Sequence, residues 1–307
     1  MHKAKAKKKA PIIYRRSIFP QRYALYYIVP GTIVLALVTL VPTIFAIATS
    51  FTDRSLVTRA APRFVGIMNY LNILTSRATW RSVYITLIFV VCAVSAELVL
   101  GILLALLFQL KMRGKPVLRA IMIMPMVSTP IAMAYLWRLM FSPTNGIINY
   151  LLSLVGITGI LWNNASSTAL LSIIIVDIWQ WTPFMFLICT AAITALPVEP
   201  FEAAIVDGAN FSTIFFRIML PLISPIISVG LLFRIVDAFK SFDYAFILTG
   251  GGPGNSTELL SLRIYNEAFK FFRLGSASAM GFLFVYGVVV ICSFIIKRSN
   301  LGMNETH

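Results

Sequence analysis

Ionisable and amide side chains interrupt several long apolar stretches of this sequence, and their presence there needs a chemical explanation. They are Glu97, Asp177, Gln180, Arg234, Asp237 and Lys240. An ionisable group at the centre of a membrane helix costs at least ~2.5 kcal/mol on insertion scales, so it usually faces a bundle interior or an aqueous path. These side chains are therefore candidates for a site inside a membrane bundle.

Two of the apolar stretches place polar and aromatic side chains on one helical stripe, with the spacing i, i+3, i+4, i+7. The first stripe is Asp177, Gln180, Trp181 and Phe184, and the second is Arg234, Asp237, Ala238 and Ser241. If the stripes faced each other, carboxylates and an amide could bind hydroxyl groups, while aromatic faces could cover apolar ring surfaces. Such a site would suit a neutral polyhydroxylated ligand.

The alternative is an ion pair between Arg234 and Asp177 or Asp237 that only joins the helices, since intramembrane charges often pair with one another. Lys240 lies nearer to the end of its stretch, where its long side chain can extend to the membrane interface.

A polar, turn-containing segment, EAAIVDGANFSTIFFRIMLPLISP at 202–225, separates two apolar stretches. Pro197 and Pro200 lead into a predicted short helix from about Phe201 to Val206. Asp207-Gly208 would end that helix, because glycine readily adopts the left-handed conformation.

A second short helix is predicted after this turn, with Ser212 or Thr213 as its cap and Leu220-Pro221 as its end. The two helices would form a helix-turn-helix that exposes Glu202, Asp207 and Arg217. Ala203 and Ala204 would leave its surface shallow, as a docking surface for another protein requires.

The composition places the chain in a membrane, because 59% of its residues are hydrophobic and only 12% are charged. Six stretches are long and apolar enough to cross a hydrocarbon core ~30 Å thick. They are approximately 24–50, 83–110, 117–141, 169–195, 222–248 and 277–297. Prolines are predicted to kink several of them, namely Pro30, Pro42, Pro125, Pro130 and Pro183. An all-α membrane protein with six transmembrane helices follows.

The net charge of +15 could suggest nucleic acid, but lysine and arginine are concentrated at helix ends and in the first tail. Basic clusters at 3–22, 111–119 and 297–298 place both termini in the cytoplasm by the positive-inside rule. The arginines of the 51–82 loop, Arg54, Arg59, Arg63, Arg77 and Arg81, oppose this topology, which puts them outside. The run from Tyr23 to Phe45 is too long for the core of a signal peptide and favours an uncleaved first helix.

Enzymatic chemistry is not indicated. The two histidines, His2 and His307, stand at opposite ends, and three single cysteines lack the spacing of a metal site or disulfide framework. The glycine-rich TGGGPGNST at 249–257 lacks the Gly-Lys-Ser/Thr ending of a phosphate-binding loop, so a turn is predicted there. With no nucleotide-binding motif in the 307 residues, any ATP chemistry must reside on another polypeptide.

Several ordered motifs together resemble a known family. EAAIVDGA followed by IMLP is similar to the EAA loop of permease subunits of binding-protein-dependent ABC importers, the type I fold. Further matches are FVGIMNY at 64–70, ELVLGILLALL at 97–107, WQWTPF at 179–184, ITALPVEPFEAA at 193–204 and LTGGGP at 248–253. They cover nearly the whole chain and resemble the carbohydrate-uptake branch, which includes permeases for maltose, glycerol phosphate and trehalose.

The resemblance implies an EAA coupling helix that enters a cleft of a separate ATPase subunit; it would be formed by Glu202, Ala203, Ala204, Asp207 and Gly208. It also implies a mid-membrane sugar site at the two stripes, with Met126 as one further pocket position. The implied domains are a basic cytoplasmic tail at 1–23, a first transmembrane helix and external loop at 24–82, a permease domain at 83–297 and a cytoplasmic tail at 298–307.

We therefore expect a translocation subunit of the bacterial cytoplasmic membrane that imports a saccharide or polyol. Its expected partners are a homologous permease, two ATPase subunits that hold ATP and Mg²⁺, an external solute-binding protein and membrane lipid. The alternative is a secondary transporter in which Asp177 or Glu97 carries a coupling proton. Secondary transporters usually contain internal repeats, and this sequence has no evident repeat.

Overall fold

The computed structural model describes residues 21–58 and 60–298, which form an assembly of helices. The basic tail predicted for 1–23 falls outside these residues except for its last three, and the tail predicted for 298–307 falls outside except for its first. The helices in order are α1 (Gln21–Ser50), α2 (Met68–Thr75), α3 (Arg77–Leu107), α4 (Lys115–Val127), α5 (Pro130–Met140), α6 (Ile147–Ser153), α7 (Ala169–Thr194), α8 (Glu199–Val206), α9 (Phe211–Thr213), α10 (Leu220–Phe239), α11 (Leu260–Tyr265) and α12 (Leu274–Arg298).

Five helical stretches are each long and apolar enough to cross a membrane. They are Tyr26–Ser50, Arg77–Leu107, Ala169–Thr194, Phe211–Phe239 and Leu274–Lys297. A sixth crossing exists if α4 and α5 are counted together, although these two helices meet at an angle of 98°. The predicted all-α membrane fold is therefore confirmed with five or six crossings, and the predicted third span is sharply broken.

The break in the third span lies at Ser128 and Thr129. Both residues have extended backbone conformations, with ψ of 150° and 135°. The ring of Pro130 disfavours helical backbone at the residue before it, which explains the break at this position. In contrast, α1 and α7 continue through their internal prolines, and Pro125 lies inside α4.

The fifth span differs from its predicted bounds of 222–248. It begins at Phe211 and ends at Phe239, and a separate π-helical turn, Ala245–Thr249, follows it. The predicted end of a short helix at Leu220-Pro221 is wrong. A π-helical segment, Ile214–Met219, leads directly into α10, and its wider turn accommodates a proline that has no N–H to donate.

Helices α3, α7 and α10 all pack against one another, and glycines permit the close contacts that α7 makes with the other two. A Cβ atom added at Gly101 of α3 would lie 2.7 Å from Cβ of Met185, and one added at Gly230 of α10 would lie 2.8 Å from Cγ2 of Ile188. The three helices therefore form a packed centre, and polar side chains on their facing surfaces must meet one another.

The glycine-rich segment after the fifth span is a turn, as predicted. Gly250, Gly251 and Gly254 have positive φ values of 62°, 89° and 58°, which glycine adopts without steric cost. The Thr257 hydroxyl closes the turn by donating to the carbonyl oxygen of Gly252 at 2.8 Å.

Candidate functional site

A buried ionic cluster lies at the centre of the bundle, where α3, α7 and α10 meet. Arg234 of α10 is only 2% exposed. Its Nε donates to Glu97 Oε2 at 2.6 Å, and its Nη2 donates to Glu97 Oε1 at 2.9 Å and to Asp177 Oδ2. Glu97 and Asp177 are also buried. A buried guanidinium is tolerated only when it is paired and hydrogen-bonded, and here two helices supply the partners.

Two residues at the edge of the cluster, Asp237 and Trp181, have partly exposed side chains. Asp237 Oδ2 lies 3.5 Å from Nη1 of Arg234, and its side chain is 46% exposed. The ring of Trp181 is half-buried, with its centroid 5.3 Å from Cζ of Arg234, which is a cation–π distance. A carboxylate and an aromatic face, both partly exposed, thus border the cluster.

Gln180, the amide of the first stripe, is fully buried and bonded at both ends. Its Nε2 donates to the carbonyl oxygen of Ser128 at 3.0 Å, and its Oε1 accepts from the Tyr244 hydroxyl at 2.8 Å. Ser128 is the residue at which the third span breaks. Gln180 therefore satisfies a backbone carbonyl there, as is required for irregular backbone at membrane depth.

The other predicted substrate residues are placed around this cluster without joining it. Phe184 packs with the apolar core that includes Met185 and Ile223, whereas Ala238 is buried in the core on the other side of the cluster. Met126 and Ser241 are half-buried. The two stripes lie on the neighbouring helices α7 and α10, except for Ser241, which follows the end of α10. Of the predicted substrate residues, those that retain exposed surface in this conformation are Asp237, Trp181, Phe184, Met126 and Ser241.

The predicted ion pair between Arg234 and Asp177 is present in the structure. Arg234 has a further partner, Glu97, that the sequence does not predict. Glu97 makes the two-pronged contact with Arg234, although only Asp177 and Asp237 were considered as partners. The sequence feature that indicates a role for Glu97 is its carboxylate at membrane depth, because such a charge needs a cation as partner. Tyr244, the partner of Gln180, lies outside both stripes and had no comparable signal.

A second candidate site is the segment 198–211, which projects from the end of α7. Helix α8 begins at Glu199, two residues before its predicted start. Gly208 follows it with φ of +74° and donates its N–H to the carbonyl oxygen of Ile205 at 3.0 Å. The cap of the next helix is Asn210, whose Oδ1 accepts from the N–H of Thr213 at 2.8 Å, so the predicted caps Ser212 and Thr213 are wrong.

The segment exposes large apolar side chains between the fourth and fifth spans and at the first residue of the fifth span. Val206 is 86% exposed and Phe211 is 69% exposed, and Val198 and Ile205 are also exposed. Several exposed apolar side chains within one short segment are typical of an interaction site.

The charged and small residues of the segment, Glu202, Ala203, Asp207 and Gly208, are exposed as well. Ala204 is buried and packs inward. The expectation that it leaves a shallow surface for a partner is therefore wrong.

No cluster of three or more His, Cys, Asp or Glu side chains that could hold a metal ion occurs within residues 21–58 and 60–298. Cys189 is buried as expected for a small core residue, but Cys92 lies exposed on the surface of α3.

Comparison with known proteins gives consistent results over most of the chain. A family model described as "Binding-protein-dependent transport system inner membrane component" matches residues 97–300. A probable ABC transporter permease protein of Sinorhizobium fredii is 38% identical over 274 residues, which cover 89% of this chain and 88% of the relative. The trehalose/maltose transport system permease protein MalF of Thermococcus litoralis is 37% identical over 239 residues, which cover 78% and 80%.

The fold is also that of a solved structure. A chain in the crystal structure of a bacterial alginate ABC transporter, in complex with an alginate pentasaccharide-bound periplasmic protein, superposes with a TM-score of 0.78. The match covers 92% of this chain and 96% of that chain, at 23% sequence identity.

Proposed function

Because the chain belongs to the family of binding-protein-dependent transport system inner membrane components, we propose that it is the permease subunit of an importer for a sugar or polyol. Support for the substrate class comes from the relative whose name specifies trehalose and maltose. The importer is driven by ATP that a separate subunit binds and hydrolyses with Mg²⁺.

The observation that carries this proposal is the exposed segment 198–211. Val198, Ile205 and Val206 lie between the fourth and fifth spans, and their exposed apolar surface would be costly to leave in water. We assign it as the coupling helix that an ATPase subunit holds, with Glu202, Ala203, Asp207 and Gly208 at the contact. Ala204, which packs inward, fixes the helix to the bundle.

The substrate pathway is proposed to pass the open side of the ionic cluster. Asp237 and Trp181 would be its first contacts, since a hydroxyl-rich ligand needs hydrogen-bond acceptors and an aromatic face. Phe184 also lies on α7, Met126 lies on α4, and Ser241 follows the end of α10. Each of the three has some exposed surface.

The remaining pocket candidates, Asp177, Gln180, Arg234 and Ala238, are buried. Arg234 and Ala238 lie on α10 and Asp177 and Gln180 on α7, so they would line the pathway only after these helices separate.

The assembly is proposed to contain a second homologous permease, two ATPase subunits and an external solute-binding protein. Both termini would lie in the cytoplasm, with the permease domain at 83–297 in the cytoplasmic membrane of a bacterium. The cytoplasmic tail at 1–23 would carry positive charge next to anionic lipid. The tail at 298–307 has one arginine, Arg298, and one glutamate, Glu305, and would be close to neutral.

Proteoliposomes test the proposal. The full chain, purified together with its ATPase and second permease, is reconstituted with its solute-binding protein, and uptake of radiolabelled trehalose, maltose or glycerol 3-phosphate is measured. Uptake of one of these should require ATP on the ATPase side.

Accumulation of sugar by this chain alone under a proton gradient, without ATPase, would contradict the importer and support a secondary transporter instead. A set of thermal-shift measurements on the binding protein with the same three ligands would identify the substrate class.

A further inference from the structure

An apolar groove runs along the surface of the bundle between α3 and α12. The wall from α3 extends from Thr79 to Leu87, and the wall from α12 extends from Met280 to Ile291. The groove has a volume of about 250 Å³, and side chains such as Val83, Leu283 and Phe284 line it. Its surface is nearly all hydrocarbon.

The length of the groove matches one leaflet of a bilayer. At 1.5 Å per residue, the α12 wall is about 16 Å long, and half of a hydrocarbon core is about 15 Å. Both walls start near the N-termini of their helices, so the groove opens at one membrane interface and runs toward the centre of the bilayer.

The mouth of the groove is basic. Arg77, Trp80, Arg81 and Tyr84 form one stripe of α3 with the spacing i, i+3, i+4, i+7 and line a cavity at its outer end. Trp80 lines both this cavity and the groove, so the two spaces adjoin at its ring. Trp and Tyr at this depth are typical of the membrane interface.

The two arginines of the mouth are available for an anion. Both are exposed, and within the described part of the chain neither makes an ion pair. The carboxylate at the mouth, Glu258, already accepts from Arg263 Nη1 and Asn266 Nδ2, each at 3.1 Å. Arg77 and Arg81 are also two of the arginines of the 51–82 loop that oppose the positive-inside rule, so their position needs a reason other than topology.

We propose that this mouth and groove bind an anionic phospholipid of the leaflet at the N-terminal end of α3. Its phosphate is held by Arg77 and Arg81, whose guanidinium groups match phosphate geometry. Its glycerol region lies beside Trp80, and one acyl chain occupies the groove between α3 and α12. An acidic surface of a protein partner would satisfy the arginines but would leave the apolar groove empty.

Fluorescence quenching of Trp80 tests this proposal. The full chain in phosphatidylcholine nanodiscs is titrated with phosphatidylglycerol or phosphatidylcholine that carries a nitroxide near the glycerol end of one acyl chain. The signal of a Trp80→Phe variant is subtracted to remove the other four tryptophans. Phosphatidylglycerol should quench at a lower mole fraction, and Arg81→Gln should reduce that preference about fivefold.

Matched controls separate the site from general effects. Arg63→Gln removes another exposed arginine of the same loop region and should leave the preference unchanged. Gly287→Leu fills the groove at a glycine whose Cβ position has no atom within 4 Å, and Gly281→Leu adds the same side chain at an equally open glycine outside the groove. Only Gly287→Leu should weaken quenching by both lipids, and Gly287→Ala should do so to a smaller extent.

Equal quenching by both lipids in the unmodified chain would overturn the proposal, as would an unchanged titration for Gly287→Leu. If Arg63→Gln lowered the preference for phosphatidylglycerol as much as Arg81→Gln does, the preference would come from general surface charge and the site at the mouth would be refuted. If Arg77→Gln and Arg81→Gln weaken binding of the solute-binding protein while lipid preference is unchanged, the mouth serves a protein and the lipid site is refuted.

Discussion

Arg234 can be buried because carboxylates reach it from two other helices. Glu97 accepts two hydrogen bonds and Asp177 accepts one, so the cluster joins α3, α7 and α10 at a single point. Replacing such a cluster by apolar groups can be neutral, but removing one partner leaves an uncompensated buried charge. The individual partners should therefore be more sensitive to mutation than any single apolar residue nearby.

We expect Glu97→Gln to destabilise the folded chain by ~3–5 kcal/mol, the cost typical of breaking a buried ion pair from one side. The unfolding temperature of the purified protein in detergent, followed by tryptophan fluorescence, should fall by several degrees. Glu199→Gln removes an exposed carboxylate and should leave it unchanged. Equal unfolding temperatures for both variants would mean that the ionic cluster does not stabilise the bundle.

Asp237→Ala should act on transport rather than on stability. The Asp237 carboxylate is partly exposed and 3.5 Å from a guanidinium that has two closer partners. Its removal should therefore cost little folding free energy. In proteoliposomes we expect a raised KM for uptake at unchanged yield of the assembled complex. Normal uptake would move the substrate site away from this residue.

Single residues show where sequence reasoning succeeds and where it stops. Charges at membrane depth identified Glu97, Asp177, Arg234 and Asp237, since burial makes such charges costly wherever they occur. Which carboxylate pairs with Arg234 depends on how α3 is rotated relative to α10. The periodicity of residues within one helix does not determine that rotation.

At the scale of elements, the turn after α8 connects the coupling segment to the fifth span. Gly208 has φ of +74°, whereas proline fixes φ near −65° and has no N–H for the bond to Ile205. Gly208→Pro should therefore displace the segment and greatly reduce ATPase association, measured by co-purification, while membrane insertion persists. Gly208→Ala keeps the N–H and adds a Cβ with no atom within 4 Å, so the strain of the positive φ is its remaining cost and its effect should be smaller.

Gly156 provides the matched control for this substitution. It also follows a short helix, has φ of +82°, donates its N–H to the carbonyl oxygen of Ser153 at 3.1 Å and has open space at Cβ. Gly156→Pro should leave ATPase co-purification intact. If both proline variants retain the ATPase, segment 198–211 is not the coupling helix.

The sequence predicts where the long helices lie, but it does not always predict the residues at which they begin and end. Hydropathy located the long helices because a span needs ~20 apolar residues. Proline predicts helix breaks less reliably than hydropathy predicts the helices. Pro130 breaks the third span, yet Pro183 lies inside an unbroken α7 and Pro221 lies in the first turn of α10 after a π-helical segment. A broken helix is tolerated at membrane depth where neighbours satisfy the backbone groups that the break leaves free, as Gln180 does for the carbonyl oxygen of Ser128.

For the whole molecule, the bent pair of α4 and α5 decides how the chain threads the membrane. If the pair crosses, the loop that contains Arg113 and the loop that contains Asn145 lie on opposite sides. If it is re-entrant, they lie on the same side. The basic residues near Arg113, including Lys111 and Lys115, favour the cytoplasm, and the 142–168 loop has no lysine or arginine. We therefore expect a complete crossing.

Cysteine accessibility measures this directly. In a background with Cys92, Cys189 and Cys292 replaced by alanine, Arg113→Cys and Asn145→Cys both add an exposed thiol. A membrane-impermeant maleimide should label the thiol at 145 in intact cells and the thiol at 113 only in inside-out vesicles. Labelling of both from the same side would make the pair re-entrant and give five crossings. Labelling with the two sides exchanged would instead reverse the orientation of the whole bundle, and with it the side on which segment 198–211 could meet an ATPase.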